Sequence, residues 1–148
     1  MTSDQLQVYY ENFPAVLKVR LKNGTLNFPN GTEFDYKPKE AYRGVIRKVG
    51  EENTPVNLND MKSYYELGKL PRGVSFDESA KYFAVSLFEN VEMLKRNFDF
   101  SNPRKLVARG YVFKEGGPSL NGENSHISWW LFEGVDLSDF EIMEKENE

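Results

Sequence analysis

The sequence predicts an α+β fold: a single domain on a mixed, mostly antiparallel sheet of about six or seven strands, with about three short helices. Segments of strand composition outnumber segments at helical spacing, and they lack the regular strand-helix alternation of a doubly wound sheet. A chain of 148 residues fits one core, and at that size about 68–70% of the unfolded surface is buried without any staple. No repeat, low-complexity tract or internal linker divides it, so residues 1–143 read as one globular domain and the acidic 144–148 as a solvated tail.

The elements follow in order. Ser3 is placed to cap a helix over residues 4–12, with Leu6, Tyr9 and Tyr10 at helical spacing and Pro14 ending it. Leu17, Val19 and Leu21 then alternate with Lys18, Arg20 and Lys22, which predicts a strand. Asn23-Gly24 supplies a hairpin turn into a second strand at Thr25-Leu26-Asn27-Phe28. Asn30-Gly31 turns the chain again into Phe34-Asp35-Tyr36. Residues 41–47 are strand-like, with Gly44 marking a bulge or a close approach to the backbone. A polar loop over 50–57 leads to a helix over 60–67, capped by Asn59 and stopped at Gly68. Pro71, Gly73 and Asp77-Glu78 indicate a second exposed loop.

Residues 82–88 are almost wholly apolar, as in a strand buried on both faces, and run into a helix over 89–98 carried by Val91, Leu94 and Phe98. Residues 105–113 read as a strand ending at Glu115-Gly116-Gly117-Pro118. Gly116-Gly117 lacks the Lys-Ser/Thr of a phosphate loop and reads as a turn. The next strand, HISWWLFE, starts at the chain's one histidine, His126. Alternation sets His126, Ser128, Trp130 and Phe132 on one face and Ile127, Trp129, Leu131 and Glu133 on the other. Both faces are apolar enough for an interior strand. His126 then needs no catalytic duty, and Trp130 is a folding residue. Residues 136–143 close the ordered chain.

Composition excludes several chemistries. Without cysteine there is no disulfide, thiol nucleophile or thiolate metal site, and one histidine cannot make a two-histidine metal site. No calcium-loop run of carboxylates appears, so no metal is expected, although oxygen-only magnesium or calcium binding stays open. A net charge of −4 with dispersed cations argues against nucleic acid, even with Tyr42, Tyr82, Tyr111, Trp129 and Trp130 available for base stacking. The chain lacks a signal-like opening or a run of about 20 apolar residues, so a cytoplasmic protein without a membrane partner is expected. The Asn-Gly-Thr sequences at Asn23 and Asn30 then read as turns rather than glycosylation sites.

Three segments form an ordered set: Tyr42-Arg43-Gly44 on a strand, Tyr82-Phe83-Ala84-Val85-Ser86 running into a helix, and Asp139-Phe140-Glu141-Ile142-Met143 near the end. The set resembles the Arg–Ser–Glu layout of ADP-ribosyltransferase-like proteins. The family's Ser-Thr-Ser stands here as Val85-Ser86-Leu87, and its Gln-x-Glu as Asp139-Phe140-Glu141. The resemblance implies NAD as cofactor and catalytic roles for Arg43, Ser86 and Glu141. Arg43 would hold the phosphates, Ser86 would brace the nicotinamide side, and Glu141 would stabilise positive charge on the ribose. Tyr42 and Tyr82, or a tryptophan, would contact the cofactor. A cation suits a pyrophosphate and a carboxylate suits an oxocarbenium-like sugar.

Because catalytic residue types are scarce, the first functional expectation is a non-enzymatic binding or regulatory protein that holds a protein partner through exposed aromatics and loops. An NAD-dependent ADP-ribosyltransferase-like enzyme is the alternative, and a nucleotide-binding module without turnover is the third reading.

Overall fold

The computed structural model describes residues 1–69, 79–98 and 101–143. The expected loop at Pro71–Gly73 and Asp77-Glu78 and the acidic tail 144–148 lie outside the described residues.

One sheet organises the chain. Its strands are β1 (Lys39–Ile46), β2 (Val85–Phe88), β3 (Lys105–Val112), β4 (Ser119–Asn121), β5 (His126–Trp129) and β6 (Glu141–Ile142), in the order β4-β5-β2-β1-β3-β6, every pair antiparallel. Among the described residues four α-helices accompany it: α1 (Ser3–Tyr10), α2 (Ala15–Lys22), α3 (Tyr64–Leu67) and α4 (Val91–Asn97). The α+β single-domain class is as expected.

β1 and β3 pair along their full length, from Lys39↔Val112 to Ile46↔Lys105. β1 and β2 share only the pair Tyr42↔Phe88, so the sheet opens between them beyond that point. Alternation along the strands gives the sheet two faces. On one, Ala41, Val45, Val85, Leu87, Ala108 and Trp129 belong to a core closed by Val56, Met61, Leu137 and Phe140. On the other, the ring of Phe98 lies over Gly44, where a Cβ would come within 2.9 Å of it. The close approach expected at Gly44 is therefore made by a side chain packing on the strand.

The hairpin expected at residues 17–28 is corrected by the structure. Residues 15–22 are helical, and the order Leu-Lys-Val-Arg-Leu satisfies both periods because Leu17 and Leu21 are four apart. Both leucines are 3% exposed, whereas Val19, which a strand would place beside them, is 58% exposed. Gly24, at φ +78°, ends the helix in the left-handed conformation, so Asn23-Gly24 is a helix stop. Residues 25–28 form no strand, and Leu26 joins Phe13, Leu17, Leu21, Tyr82 and Trp130 in a second core.

Smaller corrections have equally local causes. Thr2 rather than Ser3 caps α1, with Gln5 completing a capping box. The segment expected as one helix over 60–67 is a 3₁₀ turn, Leu58–Asp60, capped by Asn57, then α3, capped by Ser63 and ending at Gly68. The apolar run 82–88 is strand only from Val85, because Ala80–Phe83 forms a 3₁₀ turn that drops Tyr82 and Phe83 into the second core. HISWWLFE is strand only through Trp129. Trp129 and Trp130 are both fully buried, the first in the sheet core and the second beneath α1 and α2, where its Nε1 donates to Ala80 O at 2.7 Å.

Candidate functional site

The register of three strands builds one surface. Tyr42 of β1 faces Phe88 of β2, and Phe88 faces His126 of β5, so three rings form a row across the sheet. The Phe88 and His126 rings meet edge to face with centroids 5.4 Å apart. Ser86, two residues before Phe88 on the same face, brings its Oγ to 2.7 Å from His126 Nε2. Tyr42, Ser86, Phe88 and His126 are all half-buried, so the row is reached from solvent. Tyr42 also donates its hydroxyl to Glu40 Oε1 at 2.7 Å, and that hydrogen bond raises its pKa.

Burial lowers the His126 pKa below its ordinary value, and the charge of Lys81 lowers it further, so the imidazole is neutral at pH 7. In the tautomer with the proton on Nδ1, Nε2 accepts from the Ser86 hydroxyl; in the other, Nε2 donates to it. Either way a neutral hydroxyl–imidazole pair stands in the open part of the sheet.

A tight turn aims this histidine. Between β4 and β5, His126 N donates to Glu123 O, and the two residues inside that turn, Asn124 and Ser125, have φ of 56° and 62°. Paired positive φ values are those of a two-residue hairpin turn, where Asn-Gly is the usual choice. Serine in the second place is strained, and its Oγ is buried without a hydrogen-bond partner.

Arg43 lies on the opposite face of β1, between Ala41 and Val45 and under the loop at Asp60–Lys62. Its NH1 donates to Ser86 O at 2.7 Å, Nε to Asp60 O at 3.1 Å and NH2 to Lys62 O at 3.4 Å. The nearby Asp60 carboxylate is occupied: Arg47 grips it with both guanidinium nitrogens, and this pair is 7% and 8% exposed. Arg43 therefore forms no ion pair among the described residues, and its hydrogen bonds go to carbonyl oxygens. Burial lowers its pKa, with partial compensation from Tyr64 and Asp60, and it remains a cation.

Of the residues singled out in the sequence, Tyr42 and Ser86 share this face, whereas Arg43 lies on the opposite face with Ala41 and Val45 and meets Ser86 only through its backbone carbonyl. Glu141 does not join them. It lies exposed on the edge strand β6 opposite Arg109, three strand spacings from β2, or about 14 Å. Tyr82 is 2% exposed, with its ring edge-on to Tyr65 and Phe83 in the second core. Phe88 and His126 are candidate-site residues that no motif marks: alternation puts His126 and Ser128 on one face, but the β2–β5 register that brings Ser86 under the imidazole is not written in either strand.

Among the described residues no group of three or more His, Asp or Glu could hold a metal ion, and no helix is long and apolar enough to cross a membrane. Comparison of the chain with protein-family models, curated proteins and solved structures finds no match.

Proposed function

We propose that the chain binds a nucleotide, with NAD the first candidate, across Tyr42, Ser86, Phe88, Arg109 and His126, in line with its resemblance to ADP-ribosyltransferase-like proteins. The observation that carries this is the half-buried ring row with the Ser86–His126 pair beside it. Arg109, exposed and opposite Tyr42 on the same face, offers a guanidinium fork to a phosphate. The Tyr42–Phe88–His126 row offers ring faces and edges to a base or nicotinamide, and the Ser86–His126 pair offers a hydroxyl and an imidazole to ribose or amide groups. The cytoplasmic setting expected from the sequence belongs to the same reading.

Binding is favoured over turnover. Cleavage of the nicotinamide–ribose bond develops positive charge on the sugar, which a carboxylate stabilises and a neutral imidazole does not. Glu141 stands three strands away, leaving His126 as the titratable group in contact with Ser86.

Calorimetric titration of the full chain with NAD and with ADP-ribose is the test, alongside an assay for released nicotinamide. Saturable binding that weakens at least tenfold, about 1.4 kcal/mol, in Arg109→Lys and His126→Gln supports the reading. The lysine keeps the charge but loses the fork. Absence of any heat or thermal shift with millimolar NAD on folded protein removes it. Nicotinamide release abolished by Glu141→Gln would instead support the transferase alternative.

A further inference from the structure

Residues 131–134 divide two depressions whose lining shares no residue with the nucleotide site. The first is a cleft of about 240 Å³ walled by Leu17, Met61, Phe83, Val85 and Leu131 and flanked by Glu66 and Glu133. The second is an open groove lined by Glu11, Glu115, Glu133 and Asp136 and by no lysine or arginine. The two share Phe132, Glu133 and Gly134, so apolar wall and carboxylates form one continuous surface. Leu58 and Tyr65 line the cleft while 48% and 38% exposed.

We propose that this surface docks a segment of a partner protein that inserts one large apolar side chain into the cleft and lays lysine or arginine along the groove. Size favours a side chain: the cleft is smaller than the roughly 300–1,000 Å³ of a small-molecule pocket, whereas one buried anchor is what a peptide-recognition site needs. Charge selects the flank. Glu11 is partly neutralised by Lys18 and Lys22, but Glu115, Glu133 and Asp136 form no ion pair among the described residues. Their field attracts cations and repels both an anionic lipid surface and an acidic peptide. Glu66 is engaged by the backbone and hydroxyl of Ser63, which fixes the cleft's far wall rather than competing for the ligand.

Selection of the full chain against a random peptide library displayed on phage tests this directly. Enriched sequences are expected to combine an aromatic or aliphatic anchor with adjacent Lys or Arg. A synthetic peptide of that sequence should lose at least tenfold in affinity with Glu133→Lys/Asp136→Lys, with the milder Glu133→Gln weakening it less. Raising the salt should lower the affinity, and Leu58→Glu should weaken it independently. Ser86→Ala, at the nucleotide site, should leave the peptide's Kd unchanged, so failure here and failure of the nucleotide reading are separate results. The proposal is overturned if nothing is enriched, if enriched peptides carry no cation, or if charge reversal leaves their affinity unchanged.

Discussion

Ser86 Oγ and His126 Nε2 lie 2.7 Å apart although their residues are 40 positions apart in the chain. The pairing of β2 with β5 makes this contact: Phe88 sits opposite His126, so Ser86 reaches the imidazole diagonally on the same face. The strained Asn124-Ser125 turn holds the histidine at the start of its strand. A residue that the sequence cast as dispensable is thereby built into the most polar part of the open sheet.

His126 should confer a pH dependence on stability. Its folded pKa lies below the ordinary 6.5, so across the interval between those values the unfolded chain binds more protons than the folded one. Stability due to the neutral imidazole is complete above pH 6.5 and is lost as pH falls through the folded value. Urea denaturation at pH 7.5 and pH 5.5 should show wild type losing more stability than His126→Gln. Equal losses in the two proteins would show that the histidine does not titrate as its surroundings require.

Ser125→Gly should stabilise the chain. The substitution relieves a left-handed serine and removes a buried hydroxyl without a partner, at some cost in unfolded-state entropy. A net gain of about 0.5–1 kcal/mol, or a few degrees in Tm, is expected. A lower Tm would mean that the Ser125 hydroxyl makes an interaction worth more than the strain.

The legible part of this molecule was whatever local pattern and punctuation decide. β3 was read almost to its limits, Gly68 was read as the stop of α3, and Trp129 and Trp130 were read as buried. Residues 17–21 were misread because leucines four apart with a single intervening apolar residue satisfy strand and helix alike. Only burial against α1 and Trp130 decides between them. The site was half legible. Tyr42 and Ser86 share a face on neighbouring strands while Arg43, adjacent to Tyr42 in one strand, takes the other face; strand order and register are properties of distant pairing that alternation within one strand does not contain. The same limit hid the distance of Glu141 from the others.

Gly117 and Gly24 both have positive φ, yet alanine should affect them very differently. At Gly24 nothing lies within 4 Å of a would-be Cβ, so Gly24→Ala costs only the left-handed backbone, about 1 kcal/mol. At Gly117 the Cβ would stand 1.8 Å from Trp130 O, in a segment where Trp130 N donates to Pro118 O. Gly117→Ala must therefore shift the backbone at Trp130, just after β5, and a loss of more than about 3 kcal/mol is expected. Paired denaturation curves decide, and similar losses would refute the packing argument.

Arg47 and Asp60 set the last expectation, because their pair links the loop over the sheet core to Arg43. Asp60 gives its carboxylate to Arg47 and its carbonyl to Arg43, so one residue anchors both cations. Asp60→Asn leaves Arg47 buried at 7% exposure with no counter-charge, a situation that typically costs about 3–5 kcal/mol. Arg47→Met/Asp60→Leu removes both charges and should recover much of that loss, since the pair stabilises mainly by avoiding a buried lone ion. Nucleotide affinity should part company with stability here. Arg47 and Asp60 lie on the opposite sheet face from the Tyr42–Phe88–His126 row, so NAD should bind the double variant within about threefold of wild type. A double variant as unstable as Asp60→Asn would show that the loop depends on the ion pair itself, and unchanged stability in Asp60→Asn would show that water reaches Arg47.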